Sequence, residues 1–570
     1  MAATEPLVEC VPNFSEGRDM AVIKQITDEI ESVEGARLLD VDPGRATNRT
    51  VVTFVGPPDA VLDAAVKAIA KAAELIDMRE HSGEHPRMGA TDVCPLVPVA
   101  GITMDETVEL ARELGRRVGA EVGIPVYLYE HAASRPERRN LAYIRSGEYE
   151  ALAEKMTKPE WAPDHGPAEF NARSGATVVG ARDFLVAYNV NLNTTSTRRA
   201  NAVAFDVREK GRLKRVGDPL TGEIARDENG APIWLPGALE NVKGIGWYIE
   251  EYGIAQVSLN LTNIRETPVH VAFEEVCRSA ESRGMRATGS ELVGLIPLSA
   301  MLEAGASYLA KQQRSLGVSE SELIKIAVVS MGLDDLYPFE PDEKIIEYRL
   351  RSDHDSPLVK MRLDEFADET ASESPAPGGG SVAAYVGSLG AALGTMVANL
   401  SSHKRGWDDR WEDFSDWAVK GQAHKDTLLK LVDEDTRSFN DVLAALRLPA
   451  GTAEEQADKD RAIEAATKHA IDVPLQVMRE ALASMELMAA MADKGNPSSV
   501  SDAGVGALCA RAAVRGAFLN VQINGQGLAD EDYLAAVMEE GRAMLVDAEE
   551  QEADILARTE WVIVQESGGS

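Results

Sequence analysis

The sequence predicts an α/β plus all-α chain: two ferredoxin-like α/β-sandwich subdomains followed by an all-helical bundle. Three observations carry this. Strand and helix signals alternate from residue 6 to about residue 183. Two further strands of period two lie near residues 188 and 255. Beyond Leu363 strand signals nearly vanish, and stretches of Ala, Leu, Met and charge run to Trp561.

The first subdomain is expected over residues 1–183. Leu7–Val11 reads as a strand, Ala21–Val33 as an amphipathic helix, and Arg37–Val41 and Thr50–Val55 as strands. Pro57-Pro58 opens a helix to about Ile76, with proline where a first turn tolerates it. Asp92–Val99, Thr107–Val122 and Pro125–Tyr129 continue as strand, helix and strand. The order β-α-β-β-α-β is ferredoxin-like. A second α/β subdomain is expected over 184–350. In Tyr188–Asn193 and Ala255–Leu261, Val and Leu take one face while Asn189, Asn191 and Asn260 take the other. That amide face is either a solvated sheet surface or a polar wall that meets the first subdomain across a substrate site. Val216–Asn241, dense in Gly, Pro, Asp and Asn, reads as a long hairpin or loop. A polar connector is expected at 351–360, the helical domain at 361–564 and a disordered tail at 565–570.

Composition bounds the function. The 570 residues are too many for one core. A formal net charge of −35 disfavours nucleic acid and anionic lipid surfaces as partners. Cys10, Cys94, Cys277 and Cys509 are scattered without a CxxC, which suits a reducing compartment. Met1 to Val8 has no secretory pattern, so a cytoplasmic location is expected. Ser381–Leu400 carries no charge, but it is rich in Gly, Ala and Ser. A tightly packed helix of a soluble bundle fits it better than a membrane span.

The densest chemistry lies in His81-Ser82-Gly83-Glu84-His85-Pro86-Arg87-Met88-Gly89. Imidazole exchanges protons near neutral pH. His81 and His85 have helical zinc spacing, but Gly83 and Pro86 break the helix and HExxH is absent, so no metal is expected. Either histidine has a structural alternative. The pattern favours His85 as the catalyst.

The helical region offers a second candidate. Leu428, Leu431, Val432, Phe439, Val442 and Leu446 share one helix face, and Asp435 lies in the middle of it while Asp433 points off it. An acid there is either a structural hydrogen-bonding group or a carboxyl of raised pKa able to donate a proton. Gly378–Gly380 precede the small-residue helix. The exposed N–H groups of Gly379 and Gly380 suit an anion, and a flexible entry loop is the alternative. Asn520 and Asn524, four apart, are further candidates for the same pocket.

Leu7-Val8-Glu9-Cys10-Val11-Pro12-Asn13-Phe14-Ser15-Glu16-Gly17, Leu39-Asp40-Val41-Asp42, Thr47-Asn48-Arg49-Thr50 and Gly83-Glu84-His85-Pro86-Arg87-Met88-Gly89 resemble glutamate formimidoyltransferases. Ala376-Pro377-Gly378-Gly379-Gly380-Ser381 resembles formimidoyltetrahydrofolate cyclodeaminases. Together they are similar to the bifunctional family of histidine degradation over nearly the whole chain.

The resemblance implies transfer of a formimidoyl group from N-formimidoyl-L-glutamate to N5 of tetrahydrofolate, then closure to 5,10-methenyltetrahydrofolate with loss of ammonia. It implies tetrahydrofolate, possibly polyglutamylated, as co-substrate, with no tightly bound cofactor, and homo-oligomers. Lys420, Lys425 and Lys430 are basic candidates for a polyglutamate tail. The family's catalytic histidine falls on His85 and its catalytic aspartate on Asp435. Asp42 matches a family carboxylate that orients the imidazole or the amidine, with Glu84 as its rival. Folate contacts map onto Gly166, Pro167, Phe170 and Gly175, and onto Gly237. The 216–241 loop is longer than the family pattern there. Two other readings remain: a transferase with an inactive helical domain, and a non-catalytic folate-binding scaffold.

Overall fold

The computed structural model describes residues 6–44, 48–83, 86–217, 222–350, 357–374 and 376–568. They form two compact units: Met1–Met301 with Met331–Leu350, and Leu302–Ser330 with Arg351–Ser570.

In the first unit the chain runs β1 (Leu7–Cys10), β2 (Asn13–Phe14), α1 (Met20–Glu31), β3 (Arg37–Gly44), β4 (Arg49–Gly56), α2 (Pro58–Leu75), β5 (Thr91–Ala100), α3 (Met104–Arg117), β6 (Val126–Glu130) and β7 (Thr177–Ala181). Local chemistry sets the helix starts. Asp19 accepts from the amides of Ala21 and Val22 to cap α1, Pro58 sits in the first turn of α2, and Thr103 with Glu106 forms a reciprocal cap on α3. β4 lies between β3 and β1, and β5 pairs with β1 on its other side. β2 continues the β1 position between β4 and β5. Parallel β7 and β6 extend the sheet beyond β5.

Alternation assigns the two faces. Val8, Cys10, Val52, Phe54, Cys94 and Leu96 pack against Ile26, Ile30, Val61 and Ile69 of α1 and α2. Glu9, Asp40, Asp42, Thr53 and Tyr129 are left for the other face.

The second half repeats the plan with β8 (Val186–Leu192), α4 (Thr197–Val207), β9 (Val242–Ile249), β10 (Ile254–Leu261), α5 (Val269–Ser282) and β11 (Ala287–Val293). Its antiparallel order β9-β10-β8-β11 matches β3-β4-β1-β5 of the first half, so both halves have the expected ferredoxin-like arrangement. Val186, Tyr188, Val190, Leu192, Val257 and Leu259 are buried on one face, as the period-two pattern predicts. The 216–241 segment holds two short ladders, Arg215–Val216 with Glu223–Ile224 and Arg212–Leu213 with Trp234–Leu235.

One segment ahead of the expected break at 350 packs with the helical unit. Residues 302–330, within α6 (Leu298–Lys311), α7 (Glu320–Met331) and their connection, belong to the helical unit. Leu316 N donates to Ser415 Oγ at 2.9 Å, and Gly317 O accepts from Asn399 Nδ2 at 2.8 Å and Gln422 Nε2 at 3.2 Å. Helical periodicity shows that a helix has an apolar face but not which core receives it.

Five long helices complete the second unit: α8 (Gly379–Ser402), α9 (Trp411–Leu446), α10 (Ala453–Lys494), α11 (Val500–Asn524) and α12 (Glu531–Gly568). Small residues of α8 admit its neighbours closely. A Cβ on Gly387 would lie 3.1 Å from Ala513, and one on Gly394 would lie 2.9 Å from Leu487. α8 is long and apolar enough to span a bilayer by composition, yet it packs inside the bundle against α9, α10 and α11.

Three expectations change here. Residues 565–568 continue α12 rather than forming a tail; 569–570 lie outside the described residues, as do 351–356 of the expected connector. Asp433 is buried at 3% exposure, where it accepts from Leu358 N at 2.8 Å and Val359 N at 3.3 Å. The apolar stripe is buried at Leu428, Leu431 and Val432 but exposed at Phe439 and Leu446.

Candidate active sites

The uncovered face of the first sheet and the amide-bearing face of the second border one cavity of about 1580 Å³ inside the first unit. That exceeds the roughly 300–1,000 Å³ of a typical single-ligand pocket. Asp42 lines it, two residues along β3 from Asp40, and so does Pro86. His85 and Glu84 lie outside the described residues. His81 is committed elsewhere. Its Nε2 donates to Asn48 O at 2.8 Å, and its Nδ1 accepts from Arg87 Nε at 3.3 Å. Arg87 is held in turn by Glu148 and Glu150. For His81 the structural alternative therefore describes its setting.

The wall mixes charges. Asp92 is buried and receives Arg145, with Arg49 at 3.9 Å, so two guanidiniums share one carboxylate. Burial beside Arg145 lowers the Arg49 pKa to about 10, against the pull of Asp92. Burial, with Asp42 adding to it, raises Asp40. Glu9, on β1, is 4% exposed and lines the cavity. Burial pushes its carboxyl up from 4.5 to about 7, against the field of Arg182. Between those two values the native state binds a proton that the unfolded chain has released, so this group's contribution to stability falls as pH rises through 4.5 to 7. Glu9→Gln is therefore expected to raise the melting temperature above pH 7, removing a penalty of about 3 kcal/mol, and to leave it unchanged near pH 4. Thermal unfolding across pH checks this.

The amide face is divided. Asn260 lines the cavity. Asn189 and Asn191 are buried beneath it. Asn189 donates to Glu291 Oε2 at 3.1 Å and Asn191 to Asp335 Oδ2 at 2.9 Å, while Gln256 bridges to Asn191 and Glu291. Glu291, which lines the cavity, also accepts from Tyr252 and Tyr337.

The cavity lining does not include Gly166, Pro167, Phe170, Gly175 or Gly237. Gly166 and Gly175 have φ of +79° and +67°, and a Cβ on either would lie 2.2 Å from a backbone oxygen, of Ile124 and Met88 respectively. A Cβ on Gly237 would lie 2.0 Å from Arg208 O. Pro167 is exposed and Phe170 packs on Tyr149. The loop nevertheless touches the segment next to His85, because Ala176 N donates to Met88 O at 3.1 Å and Ala90 N to Ser174 O at 2.8 Å.

In the helical unit Asp435 sits against the start of α8. Ser381 Oγ donates to its Oδ2 at 2.9 Å, and the Ser381 amide also hydrogen-bonds to this carboxylate. Burial outweighs these bonds and raises its pKa. A Cβ on Gly380 would lie 2.1 Å from Asp435 Oδ1. Gly379 faces the Asn520 amide, whereas Asn524 Nδ2 donates to Ala470 O at 2.7 Å and ties two helices. Lys420 lies over Trp417, Lys425 pairs with Asp426, and Lys430 is exposed. Gly380→Ala is expected to displace the carboxylate and lower cyclodeamination about 100-fold, with transfer unchanged. Separate assays of the two steps on the purified variant read this directly.

Sequence reasoning missed Glu9 and the Arg49–Asp92–Arg145 cluster. For Glu9 a signal existed: alternation in Val8-Glu9-Cys10 places it opposite the core. For the arginines there was none, because their meeting depends on tertiary folding.

A doubled ferredoxin-like scaffold around a polar cavity, joined in sequence to a helical bundle that sets Asp435 beside a helix start, gives an enzyme with two candidate sites. Family models agree: "Formiminotransferase domain, N-terminal subdomain" matches residues 7–182, "Formiminotransferase domain" 187–351 and "Formiminotransferase-cyclodeaminase" 362–543. The formimidoyltransferase-cyclodeaminase of Gallus gallus is 44% identical over 555 residues, covering 97% of this chain and 99% of that protein. The chain belongs to the formimidoyltransferase-cyclodeaminase family. Its halves also have separate relatives. The glutamate formimidoyltransferase of Thermoplasma acidophilum is 43% identical over 53% of this chain and 92% of its own length. The methenyltetrahydrofolate cyclohydrolase of Methylorubrum extorquens is 37% identical over 33% of this chain and 89% of its own.

Proposed function

We propose that the two units carry out consecutive steps on one folate. The first moves the formimidoyl group from N-formimidoyl-L-glutamate to N5 of tetrahydrofolate. The second closes the product to 5,10-methenyltetrahydrofolate and releases ammonia. The observation that carries this is the end-to-end match to a formimidoyltransferase-cyclodeaminase. The two separate candidate sites support it.

In transfer, N5 attacks the formimidoyl carbon and loses its proton, and the bond to the glutamate nitrogen breaks as that nitrogen gains one. His85 takes the first proton and returns it to the departing nitrogen. Asp42, on the wall of the same cavity as Pro86, faces the cationic amidine. In cyclodeamination N10 attacks the same carbon, Asp435 accepts its proton, and the acid so formed protonates the departing nitrogen. The backbone N–H groups at Gly379 and Gly380 hold a substrate carboxylate in this proposal. The loop of Gly166, Pro167, Phe170 and Gly175 acts on folate through the segment beside His85, and Gly237 is a second folate contact in this proposal.

A cytoplasmic location and homo-oligomerisation are proposed with it. The scattered cysteines support the first, and the exposed Phe439, Leu446 and Leu448 support the second. One assay tests the chemistry: protein, formimidoyl-glutamate and tetrahydrofolate are mixed, and methenyl absorbance and ammonia are followed. Both products are expected. Formimidoyl-folate without ammonia would leave only the transferase, and no turnover would leave a binding scaffold.

A further inference from the structure

Several carboxylates on the cavity wall or beside it have charged or hydrogen-bonding neighbours. Asp92 holds Arg145 and the Met88 amide. Glu291 accepts from Asn189, Gln256, Tyr252 and Tyr337. Asp40 and Asp42 stand two residues apart on β3 and repel each other. Glu9 differs. It is on the first strand, next to the sheet centre, and its neighbours Val8 and Cys10 face the apolar core. Its side chain is nearly buried, yet among the described residues no donor is hydrogen-bonded to it and no cation pairs with it at contact distance. Arg182 acts on it only through its field. A buried carboxylate without donors is costly, and a ligand that supplies two donors removes that cost.

Tetrahydrofolate carries such a pair. The pteridine ring presents N3–H and the 2-amino N–H side by side, at the spacing of two carboxylate oxygens. We propose that Glu9 reads this edge and so positions the pteridine in the transferase cavity. The inference rests on the transferase reading above and adds the residue that selects its co-substrate. Glu9 is a binding and positioning residue; the proton path through His85 does not include it.

The experiment compares tetrahydrofolate with its 2-desamino-2-methyl analogue as acceptor, using the full-length wild type, Glu9→Asp and Glu9→Gln. The wild type is expected to favour tetrahydrofolate at least tenfold in kcat/KM. In Glu9→Gln the KM for tetrahydrofolate rises at least tenfold, the preference over the analogue disappears, and both kcat and the KM for formimidoyl-glutamate stay within about threefold, a pattern that follows from loss of bidentate recognition. Glu9→Asp falls between. A merely structural role would not erase discrimination between two acceptors.

A fall in kcat at unchanged KM would make Glu9 a proton carrier and overturn the proposal. So would a wild type that uses both acceptors equally, a result independent of whether any variant folds. A wild type that transfers to neither acceptor would instead strike the transferase reading itself.

Discussion

Asp435→Asn is expected to stop cyclodeamination while the protein keeps its fold and its transferase activity. Asparagine retains a side-chain oxygen, which still accepts from Ser381, so the start of α8 keeps its anchor. The variant has no proton to give. General acid–base groups contribute about 100- to 10,000-fold, and a loss of that order is expected. With formimidoyl-glutamate and tetrahydrofolate supplied, 5-formimidoyltetrahydrofolate accumulates and ammonia does not appear. Because burial raises its pKa, Asp435 keeps its proton to higher pH than an ordinary aspartic acid. The carboxylate form that accepts the N10 proton is therefore lost at a higher pH than for an ordinary aspartate, and the cyclodeaminase rate should fall earlier on acidification. An unchanged rate of methenyl formation in the variant would remove Asp435 from the chemistry.

His85→Ala is expected to do the reverse. Transfer falls by about 100- to 10,000-fold, while cyclodeamination of supplied 5-formimidoyltetrahydrofolate continues at the wild-type rate. His81→Ala is the informative companion. It breaks a bond to Asn48 and the contact with Arg87, so it costs stability before it costs chemistry. Near-normal transfer by His85→Ala would refute its role as proton carrier.

Period and punctuation made much of the fold legible. Alternation in Tyr188–Asn193 and Ala255–Leu261 located two central strands, and Pro57-Pro58 marked the start of a helix. The β-α-β-β-α-β order led to the sheet arrangement in both halves. Asp435 stood out because a charge on an apolar stripe has few cheap explanations. What stayed hidden depends on tertiary partners. Asp433 looked like a surface residue, since nothing local announces that the amides of Leu358 and Val359 will come to it. Phe439 and Leu446 continue the stripe in sequence, but the helix outruns the core that would cover them. Asn189 and Asn191 alternated as a wall would, and the difference between lining a cavity and lying under it was set by Glu291 and Asp335 on other segments.

The interleaving of the two units bears on how the chain is made. Residues 302–330 leave the ribosome before 331–350 complete the first unit and well before their own partners Ser415, Asn399 and Gln422 exist. During synthesis Leu316 N and Gly317 O wait for their partners until helices encoded about a hundred positions later arrive. A gene cut at residue 350 would make that wait permanent, leaving Leu316 N and Gly317 O without these partners.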